Sequence, residues 1–261
     1  MNQINDTERQ GRRLVAEAEC TLQGSGQASD RVQVLGHRGA PAFGIAENSV
    51  AAVSRALRHG ADGVEIDVWL VGNGTLVCTH DLENADVNSL ATLTELLTTA
   101  QRPAGTRVVV EAKPVAGPAV AQATAEALAR VLRTSAGTAD ITISSFDAEL
   151  LATIRATCAD LPVRTALLGQ ASDPAAAVVQ RAHRDGHDEV HLSLTAARRS
   201  PLTVETARWL GLSVALWTVN SQEDLRWAAE LGVNAVITDQ VLAARSELAL
   251  ALALDAEPAV A

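Results

Sequence analysis

The chain has 261 residues, of which 48% are hydrophobic and 20% charged, and its formal charge is 21 − 31 = −10. That length suits one large globular domain or two small ones, and the negative balance argues against general affinity for nucleic acid or an anionic membrane. Cys20, Cys78 and Cys158 are too few and too scattered for a disulfide framework, and no run reaches membrane-spanning length; a reduced, cytoplasmic protein without stable membrane insertion is expected.

In chain order, residues 1–30 read as an N-terminal extension, with a weakly amphipathic stretch from Arg12 to Leu22 and then the linker-like GSGQASD. From Val32 onward, short runs rich in β-branched residues alternate with longer Ala/Leu-rich stretches of helical spacing, the pattern of βα units. The predicted strands are VQVLGH (32–37), GVEIDV (63–68), RVVVEAK (107–113), ITISSF (141–146), VRTALL (163–168), EVHLS (189–193), SVALWTV (213–219) and AVITD (235–239). A helix is predicted after each. Asn48 or Ser49 would cap the first and Ser221 the seventh, while Gly60, Gly186, Gly211 and Gly232 fall where helices should stop. With no Tyr, two Phe and four Trp, the core must be built mainly from Ala, Val, Leu and Ile. Strict alternation of this kind predicts an α/β fold, a single-domain (β/α)8 TIM barrel over residues 31–255, with 256–261 as a C-terminal tail. The first strand is followed by no G-x-G-x-x-G, which counts against an open nucleotide-binding sheet.

Function in such barrels sits at the C-terminal ends of the strands. There the first strand offers Gly36-His37-Arg38-Gly39, the second Glu65 and Asp67 with His80-Asp81 shortly after, the third Glu111-Ala112-Lys113, and the seventh Trp217-Thr218-Val219-Asn220. Strand alternation turns Val64, Ile66 and Val68 toward the helices and Glu65 and Asp67 inward. It likewise turns Val109, Glu111 and Lys113 inward. Three converging carboxylates repel one another unless a cation sits among them, and oxygen ligands without thiolates favour Mg²⁺ or Ca²⁺. The alternative is a salt-bridge network of Glu65, Asp67 and Glu111 with Lys113 and Arg38.

His37 and His80 suit phosphodiester cleavage, in which one ring takes a proton from the nucleophile and another gives one to the leaving alkoxide. Arg38 and Lys113 suit phosphate oxygens, and Trp217 offers a flat apolar wall. His191 points inward by parity, whereas His59, His183 and His187 read as structural.

The series GHRGAP, ENS, ADGVEIDVWL, TLVCTHD, VVVEAK, VALWTVN and LGVNAVITD closely resembles the glycerophosphodiester phosphodiesterase family, from about Val34 to Asp239. The resemblance implies a barrel enzyme that hydrolyses glycerophosphodiesters to sn-glycerol 3-phosphate and an alcohol. It makes His37 and His80 the acid/base pair, Glu65, Asp67 and Glu111 the divalent-metal ligands, and Arg38 and Lys113 the phosphate contacts. Glu47 and Asn48 match the family's E-N-T/S turn, which supports the substrate site. One departure stands out: the stretch between His80 and Glu111 lacks the family's R-T element and its small insertion over the site. That leaves open a lysophospholipase D-like activity on amphiphilic substrates. Lys113 at a strand end also leaves a Schiff-base lyase, and a non-catalytic phosphate-binding barrel is the remaining class.

Overall fold

Short apolar strands separated by capped helices assemble here into a closed parallel barrel. The computed structural model describes residues 31–83, 85–100, 102–135, 137 and 139–255; the expected extension 1–30, with Cys20, and the tail 256–261 lie outside the described residues. Eight strands form the wall: β1 Gln33–Gly36, β2 Gly63–Leu70, β4 Arg107–Ala112, β5 Asp140–Ser145, β6 Val163–Gly169, β7 Glu189–Ser193, β8 Ser213–Trp217 and β9 Ala235–Thr238. All neighbouring pairs are parallel, and the ring closes because β1 pairs with β2 on one side and β9 on the other.

Each predicted strand is present, with ends displaced by no more than two residues. A ninth strand among the described residues, β3 (Leu76–Cys78), folds back antiparallel onto the end of β2. It extends β2 beyond the barrel proper and delivers His80 to the rim. The predicted sixth helix is split at Ser200-Pro201 into α6 (Leu194–Arg199) and α7 (Leu202–Trp209); proline cannot carry the helical hydrogen bond through that point. The remaining helices are α1 Val50–Arg58, α2 Leu93–Thr99, α3 Pro118–Ser135, α4 Ala148–Thr157, α5 Ala175–Arg184, α8 Gln222–Glu230 and α9 Val241–Asp255. Ser49, not Asn48, caps α1, and Ser221 caps α8 as predicted. The four glycines expected to stop helices all adopt positive φ.

The larger core lies outside the barrel wall, where Val64, Ile66, Val68, Val108 and Val110 meet the helices. The lumen holds a smaller apolar layer of Leu35, Val109, Ala215, Ala235 and Ile237. Below that layer, at the N-terminal ends of the strands, the lumen is ionic. Glu189 is buried and bound by Arg107, by Arg164 at 2.8 Å, by Thr142 Oγ1 at 3.0 Å and by His191 Nε2 at 3.0 Å. No described helix is long and apolar enough to cross a membrane, and Cys78 and Cys158 are free and buried.

Candidate active site

The strand register delivers the carboxylates. Asp67 on β2 lies opposite Glu111 on β4, and Glu65 two residues earlier shares Asp67's face. One ligand oxygen from each of Glu65, Asp67 and Glu111 lies within 4.8 Å of the others. Val64, Ile66, Val68, Val108 and Val110 face the helices as parity required.

Two cations reach this group. Lys113 Nζ lies 2.5 Å from Asp67 Oδ1 and 2.6 Å from Glu111 Oε1, and Arg38 Nε is 3.5 Å from Asp67 Oδ2. Burial alone would lower the Lys113 pKa, but Glu111 and Asp67 outweigh it and raise it. Glu65 is left without either. Its Oε2 accepts the Arg38 backbone N–H at 3.0 Å, while Oε1 is buried with no partner. Burial, then repulsion from Asp67 and Glu111, pushes its carboxyl well above the usual range. Glu111 is pushed up by burial as well, with Lys113 opposing.

The loop after β1 is fastened to these acids. Arg38 and Asn48 both hold positive φ, 51° and 54°, an unfavourable region for a side chain as large as arginine. The bond from the Arg38 N–H to Glu65 and the Asn48 N–H to Arg38 carbonyl bond, 3.0 Å, hold the conformation. Asn48 is buried and grips Asp67 twice, donating from Nδ2 at 2.8 Å and accepting the Asp67 N–H at 2.9 Å. Glu47 binds the Arg38 guanidinium at 2.9 Å. The E-N-S turn thus orients the Arg38 and Asp67 side chains, with Glu47 acting through Arg38.

His37 projects from the end of β1, its Nδ1 2.7 Å from Asp239 Oδ1. Asn220 holds Asp239 in turn, donating to Oδ2 at 2.7 Å and accepting the Asp239 N–H at 3.0 Å. The hydrogen bond from His37, ahead of opposing burial, keeps the Asp239 carboxyl below its usual range. An ionised carboxylate only accepts, so the proton lies on Nδ1 and the lone pair of the neutral ring on Nε2. Sequence reasoning assigned Asp239 no role. The available signal was its place two residues after inward-facing Ile237, at the end of the strand beside β1.

His80 stands at the exposed rim, Nδ1 3.0 Å from Asp81. A narrow pocket between these groups is lined by His37, Glu65, Glu111, Ser144, Leu168, His191, Trp217 and Ile237. Trp217 donates from Nε1 to the His191 carbonyl at 3.3 Å and meets Phe146 edge to face, with centroids 5.7 Å apart. His191, inward as parity predicted, is a lining residue; His187 is not and bonds Thr165 at 3.0 Å. His80 is not among the lining residues of that pocket.

This arrangement can bind a phosphate through Arg38 and Lys113 and hold a hard cation on its carboxylates. Comparison with known proteins bears on what it acts upon. The sequence matches the model of the glycerophosphoryl diester phosphodiesterase family over residues 37–101 and 83–243. It is 31% identical over 241 positions, 77% of this chain and 86% of the other, to a Mycobacterium tuberculosis protein named probable glycerophosphodiester phosphodiesterase 1. In three dimensions it is similar to a glycerophosphodiester phosphodiesterase from Parabacteroides distasonis (TM-score 0.74, 21% identity, 86% of this chain and 99% of that one). It is also similar to a phosphodiesterase from Oleispira antarctica solved with the product sn-glycerol-3-phosphate (TM-score 0.69, 21% identity, 84% and 97%). These structural likenesses bear on the fold.

Proposed function

The chain belongs to the glycerophosphoryl diester phosphodiesterase family and is a hydrolase acting on phosphodiesters, and from that premise we propose that it cleaves glycerophosphodiesters to sn-glycerol 3-phosphate and an alcohol, with His37 and His80 as the acid/base pair. Glu65, Asp67 and Glu111 would hold a divalent cation. The observation that carries this reading is Glu65: fully buried beside two other carboxylates, with one oxygen unpartnered, while Lys113 and Arg38 are spent on Asp67, Glu111 and Glu47. A buried carboxylate left so is costly, and the all-oxygen donor set fits a hard ion, Mg²⁺ or Ca²⁺. When bound, such an ion supplies Lewis-acid polarisation of the phosphoryl oxygen.

The chain's own groups do the rest. Arg38 and Lys113 bind phosphate oxygens, and Glu47 and Asn48 hold the loop that presents Arg38. Asp239 fixes the His37 tautomer so that Nε2 can exchange a proton with substrate. Water attacks phosphorus, one histidine takes its proton, the bond to the alcohol breaks, and the other histidine protonates the departing oxygen. The Schiff-base alternative needs a free amine at position 113; Glu111 and Asp67 instead favour the ammonium. The test is turnover of a panel of glycerophosphodiesters, with and without chelator, coupled to detection of glycerol 3-phosphate. Release of glycerol 3-phosphate that chelator abolishes and Mg²⁺ or Ca²⁺ restores is the expected result. Full turnover after exhaustive chelation would remove the cation from the reading.

A further inference from the structure

Beside the carboxylates, with Ser144 in register opposite Glu111, the pocket has a polar floor that the proposed chemistry does not use. His191 on β7 and Ser144 on β5 are 0% and 1% exposed, and both line the pocket. His191 Nδ1 and Ser144 Oγ are buried with no hydrogen-bond partner. A buried, unsatisfied polar atom is costly, and two on the floor of one ligand pocket point to something that satisfies them both.

The floor is braced from below. His191 Nε2 lies 3.0 Å from Glu189, which Arg107, Arg164 and Thr142 also hold. Burial opposes ionisation of Glu189, yet the hydrogen bond from His191 and the charge of Arg107 hold its carboxyl well below the usual range. A carboxylate only accepts, so His191 donates from Nε2, and in the neutral ring Nδ1 is left as an acceptor facing the pocket. Ser144 Oγ can donate or accept. The pocket leaves about 20 Å³ for a water-sized group, which is about one oxygen atom.

A group that donates to Nδ1, accepts from Oγ and is one oxygen in size is a water molecule or the hydroxyl that displaces it. We propose that His191 and Ser144 form a hydroxyl-selecting floor, which takes one hydroxyl of the polyol half of the substrate, and that Glu189 positions His191 for it. The proposal rests on the glycerophosphodiester reading and deepens it: selectivity for the polyol is built into the lumen, while the alcohol leaves from the mouth. Arg107 and Arg164, far from the rim in sequence register, gain a purpose as the anchors of Glu189.

The full chain is tested with two ligands that differ only in hydroxyls, sn-glycerol 3-phosphate and n-propyl phosphate, by calorimetric binding. Glycerophosphocholine and propyl phosphocholine are compared in turnover. The wild-type protein is expected to favour the hydroxylated member of each pair by at least about tenfold, because a site built to bond a hydroxyl rejects its absence. Ser144→Ala and His191→Asn, both small changes within strands, are expected to shrink that ratio to about threefold or less. His191→Leu should abolish it if the variant folds. A wild-type ratio near one, or an unchanged ratio in both Ser144→Ala and His191→Asn, overturns the floor; so does equal loss of both ligands, which would mark the two residues as structural. Failure of the parent reading looks different: a protein that binds glycerol 3-phosphate through its hydroxyls yet hydrolyses no glycerophosphodiester keeps the floor and loses the proposed activity. Hydrolysis without any hydroxyl preference does the reverse.

Discussion

At the scale of single residues, the proposed site separates groups that would touch substrate from groups that hold them. His37 would exchange a proton; Asp239 and Asn220 would hold its ring. His37→Ala is therefore expected to lower kcat by about 10² to 10⁴, the usual worth of a positioned acid or base. Asp239→Asn should cost less, about 10-fold to 10²-fold, because the ring remains but its tautomer is no longer fixed. Steady-state kinetics beside circular dichroism of each variant decides this, and an Asp239→Asn enzyme with native kcat would make that contact incidental. Glu65 yields a prediction of opposite sign for stability and activity. Replacing a buried, partly unpartnered carboxylate by its neutral isostere should raise stability without metal by about 1–2 kcal/mol, or about 2–8 °C in Tm. The same Glu65→Gln change should remove turnover and the rise in Tm on adding Mg²⁺ or Ca²⁺. A variant that melts earlier than the parent would show that Glu65 is stabilised by its neighbours rather than by an ion.

At the scale of elements, most of the architecture was legible because two periodicities carry it. Alternation along β2 and β4 sorted Val64, Ile66, Val68, Val108 and Val110 from Glu65, Asp67 and Glu111 without error, since only one face of each strand can meet the helices. Parity also turned His191 inward. What it could not show was pairing at a distance. Three residues, Leu76–Cys78, are too short to read as a strand, and its pairing with β2 comes from tertiary contact. The Asp239 to His37 bond spans 202 residues of sequence, and the Glu189 brace joins residues from β4, β5, β6 and β7. No local pattern records such closures; only the ring of strands brings them together. His187, in the turn between α5 and β7, was read as structural, and its environment gives that reading a measurable form. Burial, then the charge of Arg155, lowers its pKa in the fold, against Asp185 and Asp188. In the unfolded chain the ring titrates near about pH 6.5. A base whose folded pKa is depressed adds stability above the unfolded value and loses it as pH falls through the folded one. Between about pH 7.5 and about pH 5.5, Tm should thus fall more steeply in the parent than in His187→Gln. Parallel Tm curves would place the ring in free solvent.

At the scale of the whole molecule, the barrel keeps its charges in two tiers, with an apolar layer of Leu35, Val109, Ala215, Ala235 and Ile237 between parts of them. In the lower tier both oxygens of Glu189 are held by arginines, whereas in the upper tier one oxygen of Glu65 has no partner. That contrast between the carboxylates supports the upper tier as the proposed reactive end. Among the described residues the mouth above it is thinly walled. Between β3 and β4 the described chain forms only a single turn, Val87–Ser89, and the seven-residue α2 before returning to the barrel. Asp81 beside His80 is 80% exposed, and Phe43 in the loop after β1 is fully exposed. A leaving alcohol projecting past His80 would meet few protein atoms there, whereas the phosphate and the polyol would be held by Arg38, Lys113 and the lumen. Contacts that are not made cannot discriminate, and a tenfold preference requires about 1.4 kcal/mol of differential contact in the transition state. Values of kcat/KM for choline, ethanolamine, glycerol and inositol head groups are accordingly expected to differ by less than about tenfold. Amphiphilic alcohols should be accepted as well, because Phe43 offers an apolar surface and nothing described closes over it. The panel is to be measured on the full chain at one ionic strength, since a net charge of −10 otherwise favours cationic head groups through long-range attraction. A preference of a hundredfold or more for one uncharged head group over another would require walls that the described residues of this rim do not form, and would refute the open mouth.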